Sequence, residues 1–221
     1  MFNLEINGIG QSGGGAFNEV RVEGIGRISG LVKCTNFNIE GIGFAKEIEC
    51  LENVSVEGVL RAKSLKANKV HVSGSCRVKA NIKASHLSVE GYLSTTQTVK
   101  VEQARIEGKV KFKDGVQAET LNLTFVDHSV FDVIGATHLL IKRSLHSQFW
   151  HESRGLALRK KKCIFAGQLL EGEHIEVEYC HVKQIYGDVI KIGPGCIIEE
   201  IEYKDQLEID PTSVVKVTKR V

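Results

Sequence analysis

The chain has 221 residues, of which 22 are glycine and only 2 proline, and its formal net charge is +2. Apolar residues make up 42% and aromatic residues only 6%. No run approaches the ~18 apolar residues of a membrane-spanning helix. The collagen Gly-X-Y period and Pro-rich disorder are excluded as well.

The first residues, Met1-Phe2-Asn3-Leu4-Glu5-Ile6, lack a basic region followed by a long apolar one. No signal peptide is expected, and a cytoplasmic location follows. Leu4-Glu-Ile-Asn-Gly8 then opens a series of short phrases. Val20-Arg-Val-Glu-Gly24, Phe37-Asn-Ile-Glu-Gly41, Val54-Ser-Val-Glu-Gly58, Val70-His-Val-Ser-Gly74, Leu87-Ser-Val-Glu-Gly91 and Ala104-Arg-Ile-Glu-Gly108 follow. Their glycines are 16 or 17 residues apart.

Beyond residue 120 the phrase degenerates while the period persists. The central residue of each phrase gives Ile6, Val22, Ile39, Val56, Val72, Val89, Ile106, Leu123, Ile141, Leu158, Ile175, Ile192 and Ile209, all aliphatic. The residues two places earlier are also apolar, except Glu173.

Within a repeat, apolar and polar residues alternate, as in Val70, Val72, Gly74, Cys76 and Val78. A period of two is that of a strand with one buried face. So short a repeat buries its inward face only by stacking on the next. The expectation is an all-β, single-domain parallel β-helix over 1–221, with 12–13 three-sided coils of about 17 residues. Regular coils fill 1–120 and divergent ones 121–221. Thirteen coils spaced by strand pairing would make a rod of roughly 60 Å. Spacings of 16 and 17 favour a right-handed coil over a left-handed hexapeptide one.

The phrase glycines are expected at a corner, where glycine reaches positive φ at little cost. Pro194 and Pro211 take the same register near the C-terminus.

Charge varies along the chain. Residues 1–60 carry a net −4, residues 61–120 a net +7, residues 121–162 a net +4 and residues 163–221 a net −5. A basic middle suits lateral contact with an anionic partner. No aromatic platform interleaves with the basic residues, so specific nucleic-acid binding is not expected.

The literal G-x-G-x-x-G at Gly8–Gly13 precedes no amphipathic helix and reads as corner and loop. The histidines show no metal-ligand spacing. The six cysteines form no C-x-x-C pair and read as small buried thiols. Cys180 and Cys196, 16 apart, are expected to stack in neighbouring coils. Neither cofactor nor metal is expected. The stacked glutamates of the Glu-Gly phrases track the repeat and read as architecture rather than catalysis.

Neither end shows a helical cap. An uncovered coil edge invites pairing with another chain, which makes Leu4, Ile6, Leu207, Ile209, Val215 and Val217 candidate assembly residues. Phe149 and Trp150 stand near the basic run Arg159, Lys160, Lys161 and Lys162. That combination is a candidate contact for a partner or membrane surface.

The recurrent Val-x-Val-x-Gly phrases and the glycine-rich, proline-poor core resemble the bactofilins, bacterial polymer-forming cytoskeletal proteins. The resemblance spans nearly the whole chain through short, degenerate motifs. It implies a right-handed parallel β-helix that self-assembles into filaments without nucleotide and often associates with the membrane. Bactofilins commonly carry a shorter core between flexible tails, whereas this chain is mostly core. The expected function is therefore non-enzymatic, with the protein itself as partner and membrane or cell-envelope proteins as further candidates. The alternatives are a monomeric β-helix scaffold and a hexapeptide-repeat acyltransferase. The stretch Ile192-Gly-Pro-Gly-Cys196 superficially resembles the latter class.

Overall fold

A computed structural model describes residues 2–144 and 164–221. Among these residues every element is a strand and every registered strand pair is parallel. The chain is a parallel β-solenoid of about 12 turns with a spacing near 17 residues. By packing it divides into two compact units, Met1–Ala104 and Arg105–Val221.

The first unit contains β1 (Phe2–Ile6), β2 (Ile9–Ser12), β3 (Gly15–Val22), β4 (Ile25–Ile39), β5 (Ile42–Val56), β6 (Val59–Lys66), β7 (Lys69–Val72), β8 (Ser75–Val78), β9 (Ile82–Val89) and β10 (Tyr92–Thr95). β11 (Val99–Phe112) contains the boundary between the units. One coil presents three sides, and β5 runs through all three. Its residues 42–45 and 47–49 pair with β6, and 53–56 pair with β7.

The expected ladder is observed in this unit. Ile6, Val22, Ile39, Val56, Val72 and Val89 are successive register partners. From Val22 onward each is no more than 1% exposed. Alternation places these side chains inside, where burying each aliphatic contributes about 1.5–3 kcal/mol.

The corner glycines are required for a reason other than the expected one. Among described glycines positive φ occurs only at Gly14, Gly15 and Gly195. A Cβ on Gly24, Gly41, Gly58, Gly74 or Gly91 would instead overlap the carbonyl oxygen of the corner glycine one coil earlier. Gly8, in the first coil, has nothing within 4 Å of such a Cβ. Close approach of stacked backbones, not backbone sign, selects glycine here.

The second unit contains β12 (Gly115–Phe125), β13 (Ser129–Val130), β14 (Val133–Arg143), β15 (Phe165–Val177), β16 (Cys180–Ile192), β17 (Ile197–Ile209) and β18 (Val214–Arg220). Its ladder runs Leu123, Ile141, Val177, Ile192, Ile209. This corrects the sequence-derived series in two places. β14 pairs directly with β15, so the register steps 36 residues from Ile141 to Val177. Leu158, expected as a rung, lies outside the described residues. Ile175 is not the partner of Ile192 but of Ile190 and Leu139. Glu173 is thereby removed from the inward column; it is exposed, and the buried Ile175 occupies its assigned place.

The core of this unit includes an aromatic group. Phe165 stacks on Phe125 with centroids 5.6 Å apart and on Phe131 at 4.7 Å. The corner after the ladder residue is also built differently. Tyr179 adopts φ 51° and the Arg143 guanidinium lies 3.5 Å above its ring centroid. Its N–H donates to the Pro194 carbonyl over 2.9 Å. Gly195, at φ 70°, faces the Tyr179 ring so closely that a Cβ would meet it at 2.5 Å.

Candidate assembly edges

The first coil opens the first unit with a strand edge that has no registered partner on one side among the described residues. β1 has one registered partner, β3, through Leu4↔Val20 and Ile6↔Val22. β2 is registered only with β4. Phe2 and Ile9 are each 88% exposed, and Leu4 is half-buried above the fully buried Val20. Ile6 is 7% exposed, against 1% for its partner Val22.

The last coil leaves a second edge. β18 has one registered partner, β17, through Ile197↔Val214 and Ile198↔Val215. Leu207 is half-buried and Ile209 is 40% exposed, although their partners Ile190 and Ile192 are at most 2% exposed. Val214 is 58% exposed, and Val215 is half-buried above the fully buried Ile198.

Five of the six residues named from the sequence thus stand on inward columns. The exception is Val217, which stands over the half-buried Glu200 and is 46% exposed. The inward place above Ile201 goes to Thr218. Phe2, Ile9 and Val214 were missed because they stand outside the Val-x-Val phrase. Their signal was weak: large apolar residues at outward positions of the terminal coils.

β18 is fastened to its neighbour by charge. Lys216 pairs with Glu199 at 3.2 Å, and Lys219 contacts both Glu200 and Glu202. The Glu200 carboxylate accepts from Lys219 and Gln184, which holds its pKa below the usual range. At the preceding corner Asp210 accepts from the Thr212 hydroxyl at 2.6 Å and the Thr212 N–H at 2.8 Å. Those two donations lower its pKa. The last strand is therefore held in place, and its outer edge has no registered partner among the described residues.

Phe149, Trp150, Arg159, Lys160, Lys161 and Lys162 lie outside the described residues. The described chain passes the corner residue Arg143, stops at Ser144 and resumes at residue 164, and Phe165 pairs with Ser129 and Cys180 on the side that follows the corner.

Four of the five described cysteines stack as two pairs. Cys34 and Cys50 are register partners, and Cys180 and Cys196 directly precede the pair His181↔Ile197. The hydrogen bond with Cys50 and burial push the Cys34 thiol up. Burial pushes Cys180 up, and alone it takes Cys76 to about 12. All five described cysteines are buried free thiols. His138 and His174 stack outside, with centroids 5.0 Å apart. Among the described residues no three His, Cys, Asp or Glu side chains converge to hold a metal. No helix of the described residues is long and apolar enough to cross a membrane.

No family model and no solved structure matches the chain. Two proteins of Bacillus subtilis are similar to parts of it. One, "Uncharacterized protein YhbF", is 31% identical over 90 residues, 41% of this chain and 34% of that protein. The other, "Uncharacterized protein YhbE", is 31% identical over 58 residues, 26% of this chain and 24% of that protein. The similarity thus spans about a third or less of each relative's length.

Proposed function

We propose that the protein is a non-enzymatic structural element, bactofilin-like, whose copies assemble end to end without nucleotide. The observation carrying this reading is the pair of open coil edges. Each joins unpaired strand backbone to inward-column residues left in contact with solvent, notably Leu4 and Ile209. A strand edge of this kind is a template for a further strand. Seating another coil on it extends the ladder and covers the exposed aliphatics, each contributing about 1.5–3 kcal/mol when fully buried.

Light scattering and electron microscopy of the purified chain at physiological salt test the proposal. Polymers are expected, and Leu4→Lys or Ile209→Lys should shorten or abolish them while leaving the strand content intact. A strictly monomeric chain at high micromolar concentration would refute the assembly.

A further inference from the structure

In the first unit, the side that follows the glycine corner is built from residues 9–12, 25–28, 42–45, 59–62, 75–78 and 92–95, stacked in register. Asp and Glu supply 27 of the 221 residues, yet none stands in these stretches. With strands spaced by backbone pairing, six coils give a side roughly 25 Å high.

Two columns point outward. The first is Ile9, Ile25, Ile42, Val59, Ser75 and Tyr92. Its isoleucines are 88%, 43% and 38% exposed. The second is Gln11, Arg27, Phe44, Arg61, Arg77 and Ser94. The Arg27 and Arg61 guanidinium groups lie 5.4 and 5.8 Å from the Phe44 ring centroid, and Arg77 lies 5.5 Å from that of Tyr92. Such contacts orient a guanidinium while keeping its charge and N–H donors. Among the described residues none of these arginines joins an ion pair. A groove of about 530 Å³ runs beside them, bordered by Lys63 and Lys79.

The two columns ask for different things from one partner. The arginines need phosphate or carboxylate oxygens, and the aliphatic column needs an apolar phase. The phosphate backbone of a nucleic acid would meet the first requirement and leave the isoleucines in water. An anionic bilayer surface meets both, because headgroup phosphates lie directly above acyl chains. Tyr92 suits the same boundary, where aromatic side chains with a polar tip collect. We propose that this side of the first unit is a lipid-binding face that lies flat on an anionic membrane surface. The face shares only residues 9–12 with the first terminal edge and does not depend on assembly.

Flotation of the full chain with vesicles tests this, since floating separates lipid binding from polymer that merely sediments. The chain is expected to float with phosphatidylcholine vesicles containing one-third phosphatidylglycerol and to stay below with phosphatidylcholine alone. The double variant Arg61→Glu/Arg77→Glu should lose about tenfold or more in binding, and the milder pair Arg61→Gln/Arg77→Gln somewhat less. Ile25→Ser/Ile42→Ser should also lose about tenfold, because the apolar contact is part of the fit. Lys66→Glu/Lys83→Glu makes the same charge change on another side, where these two exposed lysines are register partners. That control should retain binding to within about twofold if the face, rather than net charge, is responsible. The strand signal in circular dichroism establishes that each variant is folded. Failure of the wild-type chain to float with anionic vesicles overturns the proposal. So does equal loss in the Lys66/Lys83 control, or full binding by the isoleucine variant.

Discussion

The two units solve the same stacking problem with different chemistry. In the first, successive ladder residues lie 16 or 17 positions apart and glycines fill the corner. In the second, the ladder steps by 18, 36, 15 and 17, and the corner holds Arg143, Tyr179 and the Pro194–Gly195 turn. One hydrogen bond is common to both. The residue after each ladder position donates its N–H to the ladder carbonyl one coil earlier. Examples are Glu23 to Ile6 at 3.0 Å and Glu57 to Ile39 at 2.9 Å in the first unit. Glu178 to Ile141 at 2.9 Å and Asp210 to Ile192 at 2.8 Å are their counterparts in the second. The shared requirement is thus a backbone contact at the corner, which spares the rest of the turn from any one sequence.

Substitutions can break this comparison unit by unit. The largest effect is expected in the second unit, where Phe165→Ala removes the ring between Phe125 and Phe131. A loss of about 3–5 kcal/mol is expected by chemical denaturation. A loss under about 1 kcal/mol would mean that the aromatic group does not organise that unit. In the first unit Gly58→Ala drives a methyl group into the backbone oxygens of Gly41 and Glu40. About 1–3 kcal/mol should be lost, since neither oxygen belongs to a side chain that can swing away. An unchanged denaturation midpoint would show that the corners can separate.

A smaller effect concerns pH in the second unit. Lys109 hydrogen-bonds the Asp127 carboxylate at 2.6 Å and lowers its pKa below the ordinary 3.8. Stability from this pair is therefore fully present above the ordinary value and is lost as pH falls through the lowered one. Both side chains are exposed, 46% and 59%, so solvent screening keeps the contribution under about 1 kcal/mol. Comparing wild type with Asp127→Asn at neutral pH and at about pH 3 should show the difference between them shrinking with acid. A gap that widens on acidification would contradict the pairing. The smallest effect belongs to Gly8→Ala, which should stay within about 0.5 kcal/mol of wild type, because its methyl group meets no neighbour.

The regular half of the ladder was legible because every coil repeats one demand at one position. Inward Val22, Ile39 and Val56 must be aliphatic, and the next corner must come close. The series failed after Ile141 for a physical reason. A step of 17 lands on Leu158, which lies outside the described residues, while Ile141 pairs directly with Val177. The following step is two residues out of register. In a strand a slip of two returns to the same face, so Ile175 passed as a rung while belonging to the adjacent inward column. Glu173 alone carried the trace of that slip. Val217 stands off the inward columns similarly, because a corner between Ile198 and Ile201 resets the alternation. The acid-free side is not legible along the chain, because its members stand 16 or 17 residues apart. Only stacking puts Arg27, Phe44, Arg61 and Arg77 into one column.

Gly8 has a consequence beyond its own coil. Gly24, Gly41, Gly58, Gly74 and Gly91 in its column are each held to that residue type by the carbonyl oxygen of their predecessor. Gly8 meets no such constraint among the described residues, so any small side chain would fit there. A neighbouring molecule docked in the same register would place its own carbonyl where that side chain would stand. If copies join end to end as proposed, the bare Cα of Gly8 would act as a keyhole. Alanine there is then expected to be silent for the isolated chain and obstructive for a joined one, which would separate folding from association at a single atom.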